Sequence, residues 1–170
     1  MLGAMIGDIV GSVYEWHNIK TTDFVFLKED CFFTDDSVLT AATAKALMTD
    51  GDYAAAYQDF ARRYPRRGYG GNFSQWIHQE NPEPYNSWGN GSAMRVSPVG
   101  FAFDTVDEVL AEAERSAAVT HNHPEGIKGA QSTALAILLS RQGAAQDEIK
   151  AEIKNRFGYD LDRTLAEIRP

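Results

Sequence analysis

Phe33-Thr34-Asp35-Asp36-Ser37-Val38-Leu39 opens the stretch that decides how this chain folds. Val38, Leu39, Ala42, Ala46 and Leu47 recur at helical spacing, so a helix is expected from Thr34 to about Thr49, stopped by Asp50-Gly51. Three adjacent oxygen-bearing side chains, Thr34, Asp35 and Asp36, stand at its start. They can be held there as ordinary cap residues, by exposed amides and the positive end of the helix dipole, or by a hard divalent cation that takes oxygen ligands. The stretch alone leaves both readings open.

Upstream, Gly3, Gly7 and Gly11 recur every four residues, a seam that lets another backbone approach closely and predicts a buried helix. Asp8, Ser12 and Glu15 follow at spacings of four and three and so share one face of it. An internal hydrogen-bonded network, or exposure, accounts for such a stripe, and Glu15 near the helix end is also free to face a cleft. Residues 18–32 lose the helical period and read as an irregular connection or a short extended piece.

Downstream, Asp52 is placed to cap a helix bearing Tyr53, Tyr57, Phe60 and Tyr64 on its core side and ending before Pro65. Arg62, Arg63, Arg66 and Arg67 make a basic knot that suits a helix C-terminus in solvent. Residues 68–72 form a glycine-rich break, and Phe73 to Gln79 a short helix. Prolines make residues 81–88 a long loop, of the kind that often carries function. It delivers Gly89-Asn90-Gly91-Ser92-Ala93-Met94-Arg95, where two glycines allow a sharp turn and Ser92 can begin a helix. That arrangement suits a bound phosphate and an ordinary capped turn equally well.

From Thr105, Val106, Val109, Leu110, Ala113 and Ala117 define another helix. Pro124 suits the first turn of the next, with Ile127, Ala130, Ala134, Leu135 and Leu138 facing the core. His121 and His123 lack a third nitrogen or sulfur ligand nearby, so zinc is rejected in favour of hydrogen bonding to a ligand or a loop. Ile149, Ile153 and Phe157 mark a helix closed by Gly158, and Asp160 is expected to cap a short last one. Nearly every element is helical, which makes this a single all-α domain over residues 1–170.

Bulk composition narrows the chemistry. With 24 acidic against 16 basic residues, a net charge of −8, the surface is unsuited to binding polyanions, and nucleic acid is not expected as a partner. One cysteine, Cys31, excludes an internal disulfide framework and fits a reducing, cytoplasmic setting. Asp8 interrupts the opening apolar run, which has no basic n-region, so a signal peptide is not expected. No apolar run reaches the roughly 18–20 residues of a membrane span.

Four motifs in this order, Gly7-Asp8-Ile9-Val10-Gly11-Ser12-Val13-Tyr14-Glu15, Thr34-Asp35-Asp36-Ser37, Gly89-Asn90-Gly91-Ser92-Ala93-Met94-Arg95 and Thr120-His121 with Gly129-Ala130, resemble the ADP-ribosylglycohydrolase family, which includes the dinitrogenase-reductase-activating glycohydrolase. The resemblance implies a compact all-α orthogonal helical bundle and hydrolysis of the glycosidic bond between ADP-ribose and an acceptor. It further implies a binuclear magnesium or manganese centre, with one ion or none in this shorter chain. By the same resemblance Thr34, Asp35 and Asp36 are metal ligands, and Glu15, with Asp35 and Asp36, serves the catalytic centre by activating or positioning water. Gly89, Asn90, Gly91, Ser92, Ala93 and Met94 match the loop that wraps the diphosphate and ribose, and His121 a histidine near the ribose.

The family's second acidic motif near the C-terminus, of the form Gly-Asp-x-Asp-Thr/Ser, has no counterpart here; the 160–164 segment lacks the preceding glycine. The chain therefore resembles the N-terminal portion of such an enzyme. The expected partner is an ADP-ribosylated small molecule or protein, with self-association or a complementing C-terminal segment completing the site. The alternative function is a non-catalytic ADP-ribose or nucleotide-binding module of the same fold.

Overall fold

The computed structural model describes residues 1–168. Ten α-helices follow one another without a strand among the described residues, as the helical periods predict. Helix α1 spans Leu2–Gly11 and runs into a 3-10 turn at Ser12–Tyr14, after which the chain is irregular as far as Thr34. Then come α2 (Asp35–Leu47), α3 (Tyr53–Arg63), α4 (Gly71–Trp76), α5 (Gly91–Met94), α6 (Ser97–Ala102), α7 (Val106–Ala118), α8 (Pro124–Arg141), α9 (Gln146–Phe157) and α10 (Leu165–Ile168).

Local chemistry sets most of the starts. Asp52 accepts the Ala55 amide at 2.9 Å, while Thr105 accepts the Glu108 amide and donates to that residue's carboxylate, a reciprocal cap. His123 Nδ1 caps α8 by accepting the Glu125 amide at 3.1 Å, ahead of Pro124 in the first turn. Gly158 ends α9 in the left-handed conformation, φ +68°.

Two cores lie side by side. In one, α2, α3 and α4 enclose Leu39, Ala42, Ala46, Tyr53, Tyr57, Ala61, Phe73, Trp76 and Ile77. In the other, Val99 of α6, Val109, Ala113 and Ala117 of α7, and Ala130, Ala134, Leu135 and Leu138 of α8 meet Ile153 of α9. The alanine faces let these helices come close, and at Gly100 an added Cβ would lie 2.7 Å from the Ala134 carbonyl oxygen. Leu47 packs against both cores, and Tyr53 Oη donates to Glu112 across them at 2.6 Å.

Several expectations need correction. The glycine seam of α1 is not buried: nothing stands within 4 Å of a Cβ built at Gly3, Gly7 or Gly11, and Leu2 and Ile6 are 77% and 50% exposed. Among the described residues Val10 alone of this helix is buried, and α1 packs mainly on α2. The accessible surface, 10136 Å², exceeds the roughly 8300 Å² expected of a compact protein of this mass. Tyr64 is exposed, because α3 ends at Arg63. The short helix begins at Gly71 and stops at Trp76, earlier than its apolar residues indicate. Residues 97–102, for which the sequence gives no separate expectation, form α6, with Pro98 in its first turn. Asp160 caps no helix: it accepts the Asp162 amide and pairs with Arg163, whereas α10 starts after Thr164, whose amide bonds Glu167. Asp162 is held by Lys150 and Lys154, a structural use of that acidic segment. Among the described residues no helix is long and apolar enough to cross a membrane.

Candidate active site

A cavity of about 510 Å³, within the range of small-ligand sites, lies between the start of α2, the 68–72 turn, the 85–91 loop and His121, two residues before the α8 cap. Glu15, Asp35 and Asp36 form its acidic wall, and Gly89, Asn90, Gly91, Met94, Arg95 and His121 the opposite one. Leu39, Phe73 and Tyr85 supply apolar surface between them.

The acidic wall is built from α2 outward. Thr34 caps that helix, its Oγ1 accepting the Asp36 amide at 3.3 Å. The same hydroxyl donates to Asp8 Oδ1, and Asp8 Oδ2 accepts the amides of Thr34 and Ser37 at 2.8 and 3.2 Å. Asp8 thus clamps the cap from α1, and Ser12 extends the clamp by accepting the Phe32 amide. The stripe of α1 is an internal network at Asp8 and Ser12 and a cavity wall at Glu15. Asp35 donates its own amide to the Arg67 carbonyl at 2.7 Å, and the Arg67 guanidinium lies 3.8 Å over the Phe33 ring. Arg67 is therefore no free cation, while Arg63 pairs with Asp59 in solvent.

Capping leaves the carboxylates of Asp35 and Asp36 facing the cavity. Burial first, then Asp36, Glu15 and Asp8, pushes the Asp35 carboxyl up to about 6. Burial, Asp8 and Glu15 raise Asp36 likewise. Among the described residues, no cationic side chain forms an ion pair with either carboxylate. A cluster of oxygen donors lacking a counter-charge suits a hard divalent cation. Among the described residues, no group of three or more His, Cys, Asp or Glu side chains is close enough to cage an ion unaided.

The raised Asp35 has a measurable consequence. Its folded value of about 6 exceeds the ordinary 3.8, so between those values the folded chain holds a proton that the unfolded chain has released. Stability from this group is present at low pH and is lost as pH rises through about 6. Asp35→Asn is therefore expected to raise the ion-free melting temperature at about pH 8, by a gain on the order of 1–2 kcal/mol after allowing for solvent screening, and to change little at about pH 4. Calorimetric melts at both pH values check this; an equal or lower melting temperature at about pH 8 would contradict it.

The opposite wall departs from expectation at the turn. Helix α5 is a single turn starting at Gly91, one residue before Ser92, and the amides of Ala93 and Met94 already bond the Asn90 carbonyl. Ser92 is buried and donates to the Gly126 carbonyl at 2.7 Å, and Ala93 faces Gly129; neither lines the cavity. Gly89, Asn90, Gly91, Met94 and His121 do. Arg95 of the 89–95 turn and Tyr85 of the 81–88 loop line it too, together with the 68–72 turn, which the sequence marks only as a break. Gly70 and Gly71, each with open space where a Cβ would stand, were the available signal for the turn.

Among known proteins, the sequence model of the ADP-ribosylglycohydrolase family matches residues 1–169. The chain belongs to the ADP-ribosylglycohydrolase family. It is 29% identical to ADP-ribosylhydrolase ARH3 of Mus musculus over 183 aligned positions, covering 87% of this chain and 50% of the mouse protein. The Bos taurus ADP-ribosylhydrolase ARH3 is 30% identical over the same shares, and that of Gallus gallus 26% identical over 99% of this chain and 57% of its own length. The chain thus spans about half the length of these curated relatives. Its all-helical fold accords with membership of this family.

Proposed function

We propose that this chain carries the ADP-ribose-binding part of a metal-dependent hydrolase that cleaves the glycosidic bond between ADP-ribose and an acceptor. The observation carrying this reading is a single cavity that joins an acidic wall with no counter-charge to a glycine turn and a histidine. Asp35 and Asp36 would hold the magnesium or manganese ion, and Thr34, whose Oγ1 is already committed to Asp8 and the Asp36 amide, has at most a remaining lone pair to offer. When bound, such an ion orients ribose hydroxyls and sharpens an adjacent water.

The chain's own residues do the rest. Glu15 is exposed at the mouth of the acidic wall, where it can take the proton of the attacking water as an oxocarbenium-like state develops at the ribose C1. The bend at Gly89 and Gly91 brings backbone close to the ligand's phosphates, and Leu39, Phe73 and Tyr85 offer apolar surface to its flat parts. These contacts position the ring and restrict water.

Incubating the protein with an ADP-ribosylated peptide and magnesium is expected to release free ADP-ribose, and adding a chelator to stop release. Binding of ADP-ribose without any release would support the second reading, a non-catalytic ADP-ribose module. That reading is favoured by the lack of a ready cage among the described residues. Neither release nor binding would overturn both.

A further inference from the structure

Behind the histidine of this cavity lies a chain of polar groups that the reaction as described does not use. Arg95 is 1% exposed, and among the described residues no carboxylate pairs with it. Its guanidinium sits 4.0 Å over the Tyr57 ring, and Nη2 donates to the Ser116 carbonyl at 3.0 Å and to Thr120 Oγ1 at 2.8 Å. Thr120, fully buried, stands 2.8 Å from His121 Nδ1 through the same oxygen.

The direction of each bond follows from donor and acceptor counting. A guanidinium only donates, so Thr120 Oγ1 must accept from Arg95, and its single hydrogen is left for His121 Nδ1. Among the described residues Thr120 Oγ1 makes no hydrogen bond to any other acceptor, and in a buried place an unmade hydrogen bond is costly. Nδ1 is then an acceptor, and the ring proton sits on Nε2. A Cβ at Gly91 would lie 2.9 Å from Nε2 and Cε1, so only glycine leaves that edge of the ring uncovered at the bend of the cavity wall.

We propose that Arg95 and Thr120 are positioning residues that hold His121 as the neutral, Nε2-protonated tautomer, so that the cavity meets a fixed hydrogen-bond donor for an acceptor oxygen of the ligand. His121 is therefore not a general base. The proposal rests on the reading that an ADP-ribosyl group occupies the cavity only for what the donor meets, not for the tautomer itself. Burial, then the Arg95 charge, pushes the imidazole down to about 4, which keeps it neutral. The other ionisable groups around the ring are Tyr85, whose ring centre is 6.1 Å away, and Asp35, Asp36 and Glu15 across the cavity.

Nitrogen-15 NMR of the ligand-free, histidine-labelled protein tests this, with His121→Gln identifying the resonance among the four histidines. The expected result is a His121 ring protonated at Nε2 only, unchanged between about pH 5 and pH 8. Thr120→Val should yield a mixture of tautomers and weaken ADP-ribose binding by about two- to tenfold, with Thr120→Ser restoring both. A proton on Nδ1, or a tautomer unaltered in a folded Thr120→Val protein, would overturn the relay. An Nε2-protonated ring that responds to Thr120→Val in a protein that does not bind ADP-ribose would uphold the relay and refute the ligand.

Discussion

Glu15→Ala is expected to lower the rate of ADP-ribose release by roughly 10²–10⁴-fold, the usual contribution of a positioned proton acceptor. Affinity for ADP-ribose should change by less than about twofold. The side chain is exposed, with neither a hydrogen bond nor an ion pair of its own among the described residues, so truncation should leave the fold unaltered. Its place is fixed by the 3-10 turn that continues α1 and by the Asp8 clamp on Thr34, which brings that turn beside α2. Single-turnover release and calorimetric titration separate the two quantities. An unchanged rate would show that Glu15 takes no part in activating water.

Gly126→Ala should weaken binding strongly through one added methyl group. A Cβ there would lie 2.6 Å from the Ser87 carbonyl oxygen and 3.2 Å from that of His121, backbone atoms that cannot turn aside as a side chain can. Overpacking of this kind costs about 1–3 kcal/mol, a loss on the order of 5 °C in melting temperature for a domain of this size. The strain falls on the 85–91 loop, which is tied to its neighbours by the Ser87 amide on the Thr120 carbonyl and the Asn86 amide on Asn122. Displacing it moves Ser87, Gly89 and Asn90 together, and ADP-ribose affinity should fall by about tenfold or more. Gly129→Ala, where the nearest atom is 3.8 Å away, is the matched control and should be neutral or slightly stabilising. Equal behaviour of the two variants would contradict this account of the loop.

Much of this architecture could be anticipated from residue patterns, for identifiable reasons. Capping chemistry and the 3.6-residue period are local, so α2, α3, α7, α8 and α9 fall where Thr34, Asp52, Thr105, Pro124 and Gly158 place them. The cap reading of Thr34-Asp35-Asp36 holds, with the hydroxyl of Thr34 accepting the amide of Asp36, and it leaves both carboxylates lining the cavity. What could not be read depends on distant contacts. A four-residue glycine spacing indicates that close packing is allowed, not that a neighbour exists, and α1 presents its glycines to open space. Ser92 sits in a ligand-loop motif yet is spent on Gly126, because α8 passes directly behind the turn. Arg95 ends the same motif, and only the arrival of α7 beside it reveals that its guanidinium faces Ser116 and Thr120.

The central claim is that a cation at Asp35 and Asp36, across from the glycine turn, helps to hold an ADP-ribosyl ligand. Calorimetric titration of ADP-ribose into the protein, with and without magnesium, tests it most directly. Saturable heat that strengthens with magnesium, and loses that dependence in the Asp35→Asn, Asp36→Asn double variant, is the predicted result. Binding that is indifferent to magnesium in both proteins, or no binding in either, would contradict it.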